Sequence, residues 1–346
     1  LLDATVSASA ARITAVTDVS LRAVGGGLDM GVGPIELDIR ELRFDTSLIP
    51  GSFEDSVPFL SDMLRDFVED FAEDQVRALV PSLADSLEEA LSLSFDLPLG
   101  ERTFSVAGRF RSAELTPEAA VLGLDLGVGV DAQRGDLRWA GWLTSWEAAH
   151  EWSEAGPVTL SLHDDLLNRM LFEAWRGGLL DLTLTTADEP LLGLLFTQLG
   201  SSQGSLAVDA KLPPVAVQKG QDLELQVGEI DLTILTPGGT YGERVRVRIA
   251  GRVPISPSIQ QGALGVSLGT PELSLMVVET DWRADKVTIT NLLLEQLPIQ
   301  QILAIASAID FPLPSVLGLS IGSATAARGS TGVHTKVAAT LVPEGG

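Results

Sequence analysis

The segment that most constrains the fold runs from Leu160 to Leu182. Its pattern predicts a strand, an amphipathic helix over 164–178 and a second strand. Apolar residues recur at helical spacing and would form one face, in the order Leu167, Met170, Leu171, Ala174 and Gly178. A helix with a single apolar face needs an apolar partner, so this segment predicts a helix packed against a sheet.

The ends of this helix are marked by local signals. Ser161 is predicted to cap its start, and Asp164 follows three residues later in the capping-box position. A carboxylate at that place also suits the positive end of the helix dipole. Gly177 and Gly178 are predicted to end the helix.

Length and hydropathy predict a large internal apolar surface. The chain has 346 residues, enough for two domains with cores of their own. Apolar residues make up 45% and the mean hydropathy is +0.25, yet the apolar stretches are shorter than the roughly 20 residues of a transmembrane helix. A lipid cavity or a large aliphatic core would account for this composition.

Charge and cysteine content exclude several classes of function. The formal net charge of −24 argues against nucleic acid and against tight docking on anionic lipid headgroups. The absence of cysteine excludes disulfides, thiolate metal sites and cysteine nucleophiles. The three histidines lack zinc-ligand spacing and the acidic turns at 131–136 and 281–285 lack calcium-loop spacing, so no metal site and no cofactor is predicted.

The longest helical pattern lies in the acidic stretch from Phe53 to Leu91. It predicts one long helix over 53–80, with Pro81 kinking or ending it. Its apolar stripe is expected to face a curved antiparallel sheet through Leu60, Leu64, Phe67 and Phe71.

Most of the remaining chain has the alternating pattern of strands. The first half is predicted to form strands at 6–16, 19–24, 28–32, 35–44, 103–111, 120–130 and 137–142. The second half is predicted to form strands at 206–211, 223–227, 230–236, 244–253, 263–268, 272–280, 286–289, 318–326 and 332–342. Two further helices are expected at 191–199 and from Pro298 to about residue 309.

The 164–178 helix and the order of elements around it resemble the bactericidal/permeability-increasing-type family of tubular lipid-binding proteins, which includes lipopolysaccharide-binding and lipid-transfer proteins. The resemblance implies an α+β fold of two elongated tubular barrels, 1–152 and 153–346. Each would be a highly curved antiparallel sheet wrapped on long helices, and a shared central sheet would join them. The first barrel lacks the family's opening helix, so an upstream segment or a partner chain is expected to complete it. Animal members carry a disulfide that this chain cannot form.

The resemblance also implies a function: non-enzymatic binding or transfer of a lipid or fatty-acid-like ligand in an apolar tunnel. It allows a transient contact with a membrane and implies a secreted or periplasmic location. The acidic surface favours neutral or zwitterionic lipid. The residues expected to line the tunnel are Leu60, Leu64, Phe67, Phe71, Leu167, Met170, Leu171, Ile302, Ile305 and Ile309.

Two other functions stay open at this point. One is a structural or interaction module whose helices complete dry cores. The other is a serine hydrolase of lipid esters, because G-x-S-x-G occurs at 200–204, 265–269 and 318–322. A hydrolase serine sits between a strand and a following helix, whereas these three patterns favour turns or strands.

Three arginines are predicted to share one face of a strand. Arg244, Arg246 and Arg248 alternate with apolar residues. They predict either a solvated face paired with acidic neighbours or a contact with an anion or lipid headgroup.

Overall fold

The computed structural model describes residues 6–9, 12–40, 43–46, 66–71, 73–75, 77–79, 85, 89, 94–99, 102–116, 119–131, 141–145, 157–186, 190–240, 242–260, 263–296, 311–312 and 319–343. The chain divides into two compact units. The first comprises Leu1–Ser92 and Gly108–Asp125, and the second comprises Leu93–Ala107 and Leu126–Gly346. The predicted barrels 1–152 and 153–346 stay a prediction.

The N-terminal strands of the first unit form two antiparallel pairs. Strands β1 (Val6–Ser9) and β4 (Arg43–Thr46) pair with each other, and β2 (Arg12–Val24) pairs with β3 (Gly27–Arg40). The β2–β3 turn is Gly25-Gly26, whose positive φ angles of 64° and 94° favour glycine.

The described part of the predicted 53–80 helix is helical at 66–71, 73–75 and 77–79. Phe67 and Phe71 are 66% and 57% exposed there, so the expected packing of these two side chains against a sheet is wrong. Leu60 and Leu64 lie outside the described residues.

Two smaller sheets are three-stranded. One contains β5 (Phe95–Leu99), β6 (Arg102–Leu115) and β7 (Ala120–Val130) in that order. The other contains β8 (Val158–His163), which leads directly into helix α1 (Asp164–Arg176).

The main sheet of the second unit is an eight-stranded half-barrel. It contains β9 (Leu182–Thr185), β10 (Ser205–Ala210), β11 (Val215–Lys219), β12 (Asp222–Leu235), β13 (Arg244–Gln260), β14 (Ala263–Leu268), β15 (Glu272–Thr280) and β16 (Phe311–Pro312). Helix α2 (Pro190–Gln198) follows β9, and helix α3 (Lys286–Gln296) follows β15. The C-terminal hairpin of β17 (Leu319–Arg328) and β18 (His334–Pro343) pairs with β8.

The long antiparallel pair β12–β13 forms the spine of this sheet. Strand β12 pairs with β11 along its first half and with β10 along its second half. Strand β13 pairs with β15 and then with β14. A bulge between Val227 and Ile230, where Glu229 has a φ of 50°, shifts the alternation of β12 by one residue. The shift keeps Leu225 and Leu232 on the same buried face.

That face carries two hydrophobic clusters. The closed core covers the second half of β12 and the first half of β13, and it includes Phe172, Trp175, Phe196, Leu232, Val247, Trp282 and Leu293. The α1 core covers the other halves of the two strands, and it includes Phe104, Val106, Val128, Met170, Leu171, Ala174, Ala216, Leu225 and Val253. Helix α1 contributes residues to both.

The predicted fold class is wrong. In the part of the chain that the structure describes, strands far outweigh helices, and a half-barrel sheet stands in place of long helices wrapped by two sheets. Helices α1, α2 and α3 span 13, 9 and 11 residues. The prediction weighted two helical patterns and the family resemblance over the strand alternation that fills most of the chain. It also missed the short strands β5 and β11.

Two local predictions are corrected by side chains that cap helices. The predicted strand 286–289 is the start of α3, because Asp285 accepts hydrogen bonds from the backbone N–H groups of Val287 and Thr288, both at 3.0 Å. Helix α1 is capped by His163, and Ser161 belongs to β8. The predicted ends of α1 and α2 and the C-terminal hairpin agree with the structure to within about two residues.

Candidate functional site

Helix α1 is fixed at both ends and buried along one face. The His163 Nδ1 atom accepts a hydrogen bond from the Asp165 N–H at 3.2 Å, and the Gly177 N–H donates to the Glu173 carbonyl at 2.7 Å. Met170, Leu171 and Ala174 are at most 4% exposed. The predicted apolar face is therefore the face that meets the sheet.

Two polar side chains dock α1 onto the neighbouring strands. Asn168 donates to the Ala216 carbonyl at 3.0 Å and accepts from the Ala216 N–H at 2.7 Å, so it pairs with β11 as a further strand would. The Trp175 indole N–H donates to the Ala210 carbonyl at 2.7 Å. These bonds set both the depth and the rotation of the helix.

A buried carboxylate on α1 is neutralised by two arginines. Glu173 is fully buried, and its oxygens lie 2.6 Å from Arg169 and 2.5 Å from Arg176. The Arg169 guanidinium also stacks over the Trp142 ring at 4.3 Å from the centroid. This arrangement satisfies the charge within the helix and leaves the apolar face uninterrupted.

An apolar cavity of about 70 Å³ lies between the first half of α1 and the sheet. We call it the α1 pocket. Strands β12, β13 and β14 form the wall opposite the helix. Its lining residues are Leu162, His163, Asp164, Leu166, Leu167, Met170, Leu223, Ile255, Ser256, Pro257, Leu264, Gly265, Val266 and Thr335.

The polar side chains of the pocket gather at the start of α1. Asp164 is 4% exposed, and its oxygens accept from the two terminal nitrogens of Arg328 at 2.5 and 2.7 Å. Arg328 also donates to the Thr335 hydroxyl at 3.0 Å. The His163 ring meets the edge of the buried His334 ring, with centroids 5.0 Å apart. The end beside the start of α1 is thus polar, and most of the remaining lining is aliphatic.

The structure brings together two of the residues predicted to line a tunnel. Leu167 and Met170 line the α1 pocket, and Leu171 is buried beside them in the α1 core. Ile302, Ile305 and Ile309, with the whole predicted helix from Pro298, lie outside the described residues, as do Leu60 and Leu64. Their role in lining a ligand site stays a prediction.

Sequence reasoning missed the strand side of the pocket. Leu223, Ile255, Leu264 and Val266 line it from β12, β13 and β14. Their alternation with polar neighbours was visible in the sequence, but it does not tell which strands face α1. That depends on pairing between residues distant in the chain.

The opposite face of the spine is an ion-paired surface. Arg246 lies 3.5 Å from Glu279, and Arg244 lies 3.8 Å from the same carboxylate. Arg248 bonds Asp231 at 2.7 and 3.1 Å. This confirms the alternative in which the predicted arginine face is paired with acidic neighbours.

Hydrogen bonds on this face shift the pKa values of its groups. The bond from Arg248 lowers the pKa of Asp231 and raises that of the arginine. The bond from Lys219 is the main cause of the lowered pKa of Glu224. An open cleft of about 740 Å³ also lies here, beside Glu224, Arg252 and Glu272, and the Arg252 guanidinium bonds Glu272 at 2.6 and 2.8 Å. Its charged groups are therefore paired with one another.

None of the three G-x-S-x-G segments has the strand-turn-helix setting of a hydrolase. Ser202 lies between α2 and β10, Ser267 lies within β14, and Ser320 lies within β17. The turn and strand interpretation of these segments is confirmed. Across the part of the chain that the structure describes, no cluster of three metal-ligating side chains occurs and no helix has the length and hydropathy to span a bilayer.

Comparison with known proteins gives structural likeness but no sequence match. No protein-family model matches the chain, and no curated protein matches its sequence. Among solved structures, the chain is similar to a lipopolysaccharide binding protein, with 13% sequence identity and a TM-score of 0.39 over 99% of this chain and 78% of that one. Neither fold nor function is inferred from a similarity of this size.

Proposed function

We propose that this protein is a non-enzymatic binder of an apolar, acyl-chain-type ligand, whose chain end enters the α1 pocket. The observation that carries the proposal is the lining of this pocket. Its walls are aliphatic side chains from α1 and from three strands, and its polar groups gather at one end. A ligand with a hydrocarbon tail and a polar head is likewise apolar along its length and polar at one end.

The size of the pocket limits what enters it. Its volume of about 70 Å³ is well below the roughly 300–1,000 Å³ of a site that encloses a drug-sized ligand. At about 0.8 kcal/mol per buried methylene, four methylenes would contribute about 3 kcal/mol before ordering costs. The pocket thus accepts a chain end, and the flexible side chain of Met170 can move to admit more of it.

Aliphatic walls also favour hydrocarbon over water. A water molecule needs two to four polar partners, and the part of the pocket formed by Leu167, Met170 and Ile255 provides only apolar side chains. A hydrocarbon chain loses no hydrogen bonds in such a space and gains dispersion contacts with the walls.

The test is calorimetric titration with octan-1-ol, combined with native mass spectrometry of lipid extracted from the purified protein. We expect saturable binding of octanol by the wild type. Leu167→Trp should fill the pocket and abolish binding, whereas the control Leu212→Trp, at a side chain 48% exposed and outside the pocket lining, should bind as the wild type does.

Two results would contradict the proposal. Absence of octanol binding by the wild type would favour the alternative of a structural module with dry cores. Unchanged binding by a folded Leu167→Trp variant would place the ligand elsewhere. If that variant fails to fold, Leu167→Ala replaces it, and the larger cavity should then bind octanol at least as tightly as the wild type does.

A further inference from the structure

We propose that the α1 pocket selects ligands with an uncharged hydroxyl or ester head and discriminates against carboxylates and phosphates. This inference rests on the proposed function and adds the class of ligand head. The polar end of the pocket carries it, because Arg328, the arginine that the described residues place against this end, is already bound to a carboxylate of the pocket wall.

No arginine or lysine lines the α1 pocket among the described residues, and its titratable lining groups are His163 and Asp164. An anionic head placed there would approach the Asp164 carboxylate. In the low-dielectric interior of a protein, a second negative charge close to a buried carboxylate is strongly unfavourable unless a cation is available to it. The pocket wall itself therefore disfavours an anion.

The two terminal nitrogens of Arg328 have their hydrogen bonds committed, whereas its buried Nε has no hydrogen-bond partner in the described part of the chain. One terminal nitrogen of Arg328 donates to Asp164 at 2.5 Å and to the Thr335 hydroxyl at 3.0 Å. The other donates to Asp164 at 2.7 Å and to the Gly332 carbonyl. The Arg328 and Asp164 side chains are only 9% and 4% exposed. An anionic ligand that binds these terminal nitrogens would have to displace Asp164, leaving that carboxylate buried and without its ion-pair partner.

The positive end of the α1 dipole does not offset the repulsion between an anionic head and Asp164. The Asp164 N–H donates to the Val333 carbonyl at 3.0 Å, and the Asp165 N–H donates to His163. Both residues also place carboxylates in the first turn, where their negative charges interact favourably with the positive end of the helix dipole. The positive potential at this helix start is thus already balanced by the protein.

The same end offers a partner for an uncharged head. The Thr335 hydroxyl accepts from Arg328, so its own proton is available to a hydroxyl or ester oxygen of a ligand. This hydroxyl can bond a neutral head without separating the Arg328–Asp164 pair.

The test compares octan-1-ol with octanoate by calorimetric titration at neutral pH, so that only the head changes. We expect the wild type to bind the alcohol at least ten times more tightly than the carboxylate. Asp164→Asn keeps a side chain that can accept from Arg328 but removes its charge. Octanoate affinity should then rise at least tenfold, and octanol affinity should change less than threefold.

Asp165→Asn is the matched control. It removes the same charge from the same helical turn, but the residue bonds the Ser145 N–H and does not contact Arg328. Its ratio of alcohol to carboxylate affinity should equal that of the wild type. An equal gain in octanoate affinity in both variants would show that general charge, rather than the Arg328–Asp164 pair, sets the selectivity, and would overturn the inference.

If Asp164→Asn fails to fold, the octanol and octanoate affinities of the wild type still test the inference. Octanoate binding as tight as octanol binding overturns the inference and leaves the proposed function standing. Binding of neither ligand overturns the proposed function itself. A further variant, Thr335→Val, should weaken octanol binding severalfold in a folded protein, and unchanged affinity would remove Thr335 from the head site.

Discussion

The two halves of the β12–β13 spine share one buried face but are covered differently. On the closed core, α2 and α3 supply large side chains such as Phe196 and Leu293. These two residues and the strand residues Leu232 and Val247 are fully buried. On the α1 core, α1 provides Met170 and Ala174, strands β6 and β7 provide Phe104 and Val128, and the α1 pocket lies beside this cluster. The same strand alternation thus gives a filled core or a core with a cavity, depending on how completely the covering elements fill the space.

The largest expected effect compares one leucine from each half. Leu232→Ala in the closed core should lower the free energy of unfolding by about 3 kcal/mol, because it removes buried methyl groups and leaves a void. Leu167→Ala should cost about 1 kcal/mol, since one side of Leu167 already borders a cavity. Urea denaturation monitored by circular dichroism measures both, and equal losses would show that the α1 half is packed as tightly as the closed half.

The second effect concerns two glycines with positive φ. Gly200 follows α2 with a φ of 72°, and a Cβ there would overlap Thr240. Gly178 follows α1 with a φ of 77°, and a Cβ there would lie 3.8 Å from Asp181. Gly200→Ala should cost about 2–3 kcal/mol and Gly178→Ala about 1 kcal/mol, because only the first adds a steric overlap to the backbone strain. Thermal unfolding measures the difference, and a reversed order would contradict this account.

A smaller loss of stability is expected when the hydrogen bonds between α1 and strand β11 are removed. Asn168→Ala removes both partners of the Ala216 backbone and should cost about 2 kcal/mol. Amide hydrogen exchange should rise along 215–219, while the protection of β10, which lies between β9 and β12, should persist. The control Asn291→Ala, at an exposed amide of α3, should stay within about 0.5 kcal/mol. Faster exchange throughout β10 as well would show that the two halves unfold together.

The smallest effect is the pH dependence of the ion-paired face. The Arg248 hydrogen bond lowers the pKa of Asp231 below its ordinary value of 3.8. Its stabilisation is therefore fully present above that value and is lost as the pH falls through the lowered pKa. Because the Arg248 side chain is 34% exposed, we expect less than about 1 kcal/mol.

Asp231→Asn should accordingly be less stable than the wild type at about pH 7, and the difference should shrink as the pH is lowered towards about 2. Urea denaturation at both values measures it. A difference that stays constant with pH would mean that the side chain acts through packing and not through its charge.

Local sequence signals predicted those elements whose ends and faces are encoded nearby. The α1 helix was found because its apolar spacing and its Gly177 stop lie within one segment. Strands β14 and β15 were predicted with the bounds that they have in the structure. By contrast, the β-branched residues at 286–289 predicted a strand, and the Asp285 cap made them helical.

The candidate site could be predicted only from its helical side. Leu167 and Met170 follow from the helix periodicity, whereas Leu223, Ile255 and Leu264 reach the pocket through strand pairing between distant parts of the chain. The Asp164–Arg328 pair joins residues 164 positions apart, and no local pattern indicates such a partner.

The sequence by itself determined the α1 helix, most strand positions, the acidic charge and the placement of three arginines on one face of a strand. These features depend on neighbouring residues, alternation and composition, which act over a few positions. Only the tertiary structure decided that the fold is mainly β, that a bulge at Glu229 keeps one face buried, and that Arg328 neutralises Asp164 at the end of the pocket. Those features require strand register and side-chain packing between remote segments, since burial is settled only when the whole sheet has formed.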